Sequence, residues 1–268
     1  MKKNYFFNLV AVLIMGLATT SCHNDDKDNP DNPSGTFPRI AQIDWLEEDG
    51  SSSVWKNFTF DEDGRIVSYE DRKEDSYGTF TYKIEFHYSD NLITEYWEGE
   101  KIQNYIIEDG LIVELREGSI GRGFNSKLKY NSNRELIEIS SDEWKETFTF
   151  TWSNGLLLSS EEISDDAQYD SKYTFTYSSF ANKLAMNPYA FMDDDFINPF
   201  LSAFGYYGKV PTFLPSSIKE IRGDETKIVN LNYTIGSNGY PTKFETKEKR
   251  TDSYSTREFT DIWSLKWK

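Results

Sequence analysis

From Thr36 to Lys268 the chain alternates bulky apolar residues with small polar or charged ones. A period of two belongs to strands with one buried and one wet face. Phe58-Thr59-Phe60, Ile84-Glu85-Phe86-His87-Tyr88, Leu128-Lys129-Tyr130, Phe148-Thr149-Phe150-Thr151-Trp152, Tyr173-Thr174-Phe175-Thr176-Tyr177 and Val229-Asn230-Leu231-Asn232-Tyr233 all follow it. Each run stops at a polar turn: Asp61-Glu62-Asp63-Gly64, Ser89-Asp90-Asn91, Glu108-Asp109-Gly110, Asn131-Ser132-Asn133, Ser153-Asn154-Gly155 and Gly236-Ser237-Asn238-Gly239. Asn and Asp tolerate the left-handed backbone of tight hairpins, and Gly adopts it without steric cost. An apolar pair such as Ile66-Val67, Leu92-Ile93, Leu111-Ile112 or Leu156-Leu157 then opens the return strand. The unit recurs roughly every 20–27 residues. It predicts an all-β domain over 36–268, an antiparallel meander of hairpins in a strongly curled or barrel-like sheet, with its closure left open.

One stretch breaks the pattern. Between about 185 and 217, Pro188, Pro199, Pro211 and Pro215 punctuate a segment rich in aromatics, with Asp193-Asp194-Asp195 in its middle. Proline removes a ladder donor, so a long crossover is predicted. Asp193 is placed to open a short helix, with Phe196, Phe200, Leu201 and Phe204 on one face. We expect this segment to cover one opening of the sheet, as a plain cap or as a binding loop. Tyr189, Asp193, Asp194, Asp195, Tyr206 and Tyr207 are its candidate ligand-binding residues.

The first 21 residues have a different logic. Lys2 and Lys3 precede an apolar stretch from Tyr5 to Ala18, shorter than the ~20 residues of a transmembrane helix. Leu17-Ala18-Thr19-Thr20-Ser21-Cys22 resembles a lipobox, although Thr19 stands where Leu is commonest. The resemblance implies a signal peptide over 1–21 and lipid attachment at Cys22, hence a membrane partner through the anchor. Residues 22–35 read as an acidic tether, since His23 to Gly35 contain no apolar side chain other than proline. The run after the cysteine resembles the signal by which Bacteroidetes send lipoproteins to the outer face of the outer membrane; a solvated spacer fits its composition equally well.

Composition narrows the function. Removing residues 1–21, which hold two lysines and no acid, leaves 27 basic against 45 acidic residues, a charge of −18. Such a field repels phosphate backbones, so nucleic acid is excluded as a partner. Cys22 is the only cysteine, so no intrachain disulfide forms and stability rests on the core. Aromatics make up 16% of residues, which suits pleated surfaces. With two histidines, His23 in the tether and His87 on a wet strand face, a His-rich metal site or a His-based triad has too few members. The abundant carboxylates permit glycosidase chemistry without specifying it, and neither Asp61-Glu62-Asp63-Gly64 nor Asp193-Asp194-Asp195 has EF-hand spacing. We therefore expect no catalytic residues, no metal and no cofactor.

Phe60-Asp61-Glu62-Asp63-Gly64-Arg65-Ile66 resembles one unit of the tyrosine-aspartate repeats of bacterial surface proteins. The whole pattern of lipoprotein signal, acidic tether and hairpins resembles a Bacteroidetes lipoprotein family of unknown function with a porin-like fold. That family has no catalytic motif, so the resemblance implies fold and address. The aromatic faces are expected to fill a soluble interior rather than to meet lipid. A surface or periplasm-facing binding module for a glycan or an envelope protein is the first expectation. A structural or assembly role in the outer-membrane envelope is the second, and a carboxylate-based glycoside hydrolase the third.

Overall fold

The computed structural model describes residues 39–119, 125–188 and 197–268. Its strands are β1 (Ile40–Leu46), β2 (Ser52–Phe60), β3 (Ile66–Asp75), β4 (Gly78–Ser89), β5 (Leu92–Trp97), β6 (Glu100–Glu108), β7 (Leu111–Glu117) and β8 (Ser126–Tyr130). They continue as β9 (Leu136–Ser141), β10 (Glu146–Ser153), β11 (Leu156–Ser164), β12 (Ser171–Ala181), β13 (Phe213–Arg222), β14 (Glu225–Ile235), β15 (Pro241–Thr251) and β16 (Thr256–Trp267). Every strand pairs antiparallel with its neighbours in sequence, and β1 pairs with β16, so the sheet closes into a barrel. Closure resolves what the hydrophobic pattern left open, because that pattern fixes faces and not partners.

Local chemistry explains the turns. Asp109-Gly110 and Asn154-Gly155 have positive φ at both residues (50° and 72°, 52° and 72°), the geometry that matches strand twist in two-residue hairpins. A second kind spans five residues. Its first residue donates its N–H to the fifth residue's carbonyl in Asp61–Arg65, Asn131–Glu135 and Gly236–Tyr240. The fourth residue is left-handed each time, at Gly64, Arg134 and Gly239.

The same rim carries a repeated aromatic latch. The Tyr88 hydroxyl donates to the Ile66 carbonyl at 2.8 Å, Tyr130 to Ile112 at 2.7 Å, Tyr177 to Leu157 at 2.7 Å and Tyr233 to Pro215 at 2.7 Å. The indoles of Trp152 and Trp267 reach Leu136 and Pro241 at 2.8 and 2.9 Å. In each case an inward residue near the end of an even-numbered strand ties down the beginning of the preceding strand. This satisfies a carbonyl at the edge of a buried interior.

Inside lie Ile43, Trp45, Trp55, Phe58, Tyr69, Phe86, Phe148, Tyr173, Leu231, Phe244 and Trp263, all buried. Phe244, Trp263 and Trp45 stack as a ladder, centroids 5.2 and 5.0 Å apart, across the seam that joins β15, β16 and β1. Outward positions are mostly polar, with Leu158, Ile163 and Ile221 as scattered exceptions and with cross-strand ion pairs such as Lys129–Glu138 at 2.7 Å, Lys172–Glu161 at 2.6 Å and Lys266–Asp44 at 3.3 Å. A lipid-facing wall would instead carry an apolar band.

The described parts of the crossover, 182–188 and 197–212, fold into one barrel opening. Its short helix α1 (Pro199–Ala203) is capped by Asn198, whose side chain accepts from the Phe200 and Leu201 amides. Asn198 itself is extended (φ −72°, ψ 119°), so the described helix opens there rather than at Asp193, and Pro199 supplies the preset first turn. The expected end at 217 also moves, since β13 already begins at Phe213. Pro215 is accommodated where the β12–β13 register shifts. Phe200 packs 4.8 Å from Tyr69 and 5.8 Å from Trp55, ring centre to ring centre. The backbone is stitched to the rim through Ile112 N–H to Tyr206 carbonyl, Lys209 N–H to Arg134 carbonyl and Thr212 N–H to Gly155 carbonyl. Gly208 is required at this contact: its φ is +77°, and a Cβ there would lie 2.2 Å from the Arg134 carbonyl oxygen.

Candidate functional site

Of the residues singled out from the sequence, Cys22, Tyr189, Asp193, Asp194 and Asp195 lie outside the described residues. Tyr206 and Tyr207 are described, and both turn inward. Tyr207 is fully buried, and its hydroxyl accepts the Asn198 N–H at 3.2 Å. Tyr206 is half-buried and stacks on Tyr88 at 6.3 Å. These two tyrosines pack the plug instead of lining an open cleft, which is the arrangement a structural cap requires. His87 stands on the outer face, with its ring 4.6 Å from that of Tyr96. Asp61 holds its own turn by accepting from the Arg65 backbone and guanidinium.

Strand alternation places two chemistries in the lumen. Toward the plugged rim, inward positions are apolar. Toward the other rim, the same faces of β11 to β16 carry Glu162, Ser171, Glu220, Arg222, Lys227, Glu248, Arg250 and Asp261. Arg222 lies 3.2 Å from both Glu162 and Glu220; Lys227 reaches Glu220 at 3.6 Å and Glu248 at 4.0 Å. Arg250 pairs with Glu248, and Arg222 donates to the Ser171 hydroxyl. Acids outnumber the bases that serve them, and burial costs the charged form. Desolvation pushes Glu162 up to about 7, against the pull of Arg222. Asp261 is pushed to about 6 by burial, then by Glu248 and Glu48. At the β1–β2 turn, burial and then Asp49 and Asp261 raise Glu47 to about 7.

On the facing wall, Glu95 is 7% exposed and accepts from Tyr105 at 2.5 Å, Trp97 at 2.9 Å and Asn198 at 3.2 Å. Burial raises its pKa although these donors favour the anion. Asn198 therefore caps α1 and fastens the plug to β5. No group of three or more His, Cys, Asp or Glu poised to hold a metal occurs among the described residues.

The rim opposite the plug has a distinct surface. Tyr77 and Tyr254 are 89% and 95% exposed at hairpin tips, and Trp144 is 50% exposed in the β9–β10 turn. Phe80, Tyr82 and Trp97 share the inward face of β4 and β5 with Phe86 and Glu95, yet are 41%, 37% and 41% exposed because these strands outreach the core. Phe180 and Phe213 are exposed at the plugged rim, so large aromatics in water occur at both ends and are more numerous away from the plug. Carboxylates stand at the connections of the rim opposite the plug, including Glu48, Asp75, Glu98, Asp142, Asp165, Asp224 and Asp252. This rim was missed in the hydrophobic pattern, but a signal existed. Asp75-Ser76-Tyr77-Gly78, Asp142-Glu143-Trp144-Lys145 and Asp252-Ser253-Tyr254-Ser255 each put an aromatic into a polar turn, where no core needs it.

Comparison with known proteins supports the same architecture. A crystal structure of a porin-like protein from Bacteroides uniformis superposes with a TM-score of 0.66 at 16% sequence identity, covering 85% of this chain and 96% of that one. Likeness at this identity concerns the fold alone. No curated protein matches the chain. The model of a domain of unknown function with porin-like fold, DUF4595, matches residues 58–243. With the closed hairpin barrel and a match over most of its length, the chain belongs to the DUF4595 family of porin-like domains.

Proposed function

We propose that this protein is an exported binding module, lipid-anchored to the outer membrane through Cys22, whose rim opposite the plug receives a glycan or protein of the cell envelope. The carrying observation is the concentration of exposed aromatics, Tyr77, Phe80, Tyr82, Trp97, Trp144 and Tyr254, on the rim away from the plug. Rings with an apolar face and a polar edge stack on sugars and grip polypeptides alike. Position supports the same reading. Arg39, the first described residue, joins the barrel at the plugged rim beside Lys268, which supports an orientation with the membrane on that side and the aromatic rim away from it. The test is capture of envelope glycans on an array and of envelope proteins by crosslinking. The full chain is compared with a Trp97→Ala, Trp144→Ala, Tyr254→Ala triple variant of equal thermal stability. Loss of capture in the variant is expected; undiminished capture overturns the assignment.

A structural or assembly role in the envelope is the second reading. It is favoured by the inward packing of Tyr206 and Tyr207, which makes the described part of the crossover a cap.

A further inference from the structure

The rim opposite the plug combines rings with unbalanced negative charge, and the two meet on β3 to β5. Asp71 lies directly across from Tyr82 in the ladder, on the face that also carries Phe80 and Trp97. Phe80 and Tyr82 stack, with centroids 6.5 Å apart and planes 12° from parallel. The Trp97 indole N–H is already committed to Glu95, leaving its half-exposed ring to meet a ligand. Asp71 is only partly settled. Its Oδ1 is shut off from solvent beside the Trp55 indole N–H, which with Lys73, across from Phe80 on the same face, favours the anion, while the residue as a whole stays partly exposed. Burial holds the Asp71 carboxyl up at about 6, against Trp55 and Lys73.

A partly exposed carboxylate, set beside ring faces with negative quadrupoles and ringed by acidic turns, is complementary to a cation. We propose that the mouth binds a positively charged side chain of a partner polypeptide, with its guanidinium or ammonium group over Tyr82 and Phe80 and hydrogen-bonded to Asp71. This rests on that rim being the binding surface. A neutral glycan would use the rings but would leave the charge of the rim without a counterpart. An anionic partner would be repelled.

The test is fluorescence anisotropy with the full chain in detergent micelles. The probes are a labelled Gly-Arg repeat peptide, the same peptide with citrulline in place of arginine, and a neutral cello-oligosaccharide. Citrulline keeps the shape of arginine and removes the charge. The arginine peptide is expected to bind at least about tenfold more tightly than the citrulline peptide. Tyr82→Ala and Asp71→Asn should each weaken it by about fivefold or more. Tyr82→Ala leaves net charge unchanged, so an undiminished affinity there assigns the binding to the diffuse acidic field and overturns the site. Equal affinity for both peptides overturns it as well. Binding of the oligosaccharide alone, lost in Trp97→Ala, overturns the cationic ligand and keeps the rim as the binding surface. If no probe binds and the triple rim variant captures envelope material as well as the wild type does, both readings fall. Circular dichroism of Asp71→Asn and Tyr82→Ala confirms that each variant folds.

Discussion

Tyr177 places its hydroxyl 2.7 Å from the Leu157 carbonyl, and the same bond recurs around the plugged rim. Deleting the hydroxyl leaves the ring packed, so Tyr177→Phe and Tyr233→Phe isolate the hydrogen bond. Each should cost about 1 kcal/mol, read as a lower urea midpoint with unchanged slope. Asp261 behaves oppositely. Its folded pKa, about 6, is above the ordinary carboxylate value, so the folded state holds the proton more tightly than the unfolded chain does. Its contribution to stability is therefore fully present below about pH 4 and is lost as pH rises through about 6. Asp261→Asn removes an ionisation that the interior opposes. The variant should be more stable than the wild type at pH 8 by on the order of 1–2 kcal/mol, with the gap closing by pH 4. Thermal melts at the two pH values check this.

At the scale of elements, the plug depends on a backbone that only glycine supplies. Gly208→Ala adds a methyl facing the Arg134 carbonyl at a positive φ, so it should destabilise the protein by about 2 kcal/mol or more. It should also raise the hydrogen-exchange rate of Lys209, whose N–H bonds that carbonyl. The strands and turns were legible in the sequence because their determinants are local: Phe148, Phe150 and Trp152 alternate with threonines, and Asn154-Gly155 can only turn. The crossover was legible as an interruption but not in detail. Asn198 caps the described helix and Pro199 presets its first turn, whereas Asp193 lies outside the described residues. Tyr206 and Tyr207 looked ligand-facing because loops usually run over surfaces. Here the loop turns into the lumen, where Tyr207 substitutes for a core residue that no single strand provides.

At the scale of the whole molecule, closure had no local signature, because Trp45 and Trp263 meet across nearly the entire domain. The wall is incomplete until β16 arrives, and such distant pairing makes folding slow. Residues 36–268 produced alone should stay monodisperse without detergent, because the outer face bears ion pairs instead of an apolar band; a detergent requirement in sedimentation experiments would contradict this. Cys22→Ala should move the full-length protein from the membrane to the soluble fraction, read by fractionation. The meeting of Arg39 and Lys268, whose N–H reaches the Arg39 carbonyl at 2.7 Å, gives the ring of hairpins no privileged first strand. Splicing 268 to 39 and opening the loop at 252–255 should yield a circular permutant with the same barrel. Its new ends would emerge among the aromatics, so under the lipid anchoring proposed above a leash grafted there would turn the molecule upside down on the membrane and offer the plug to the outside.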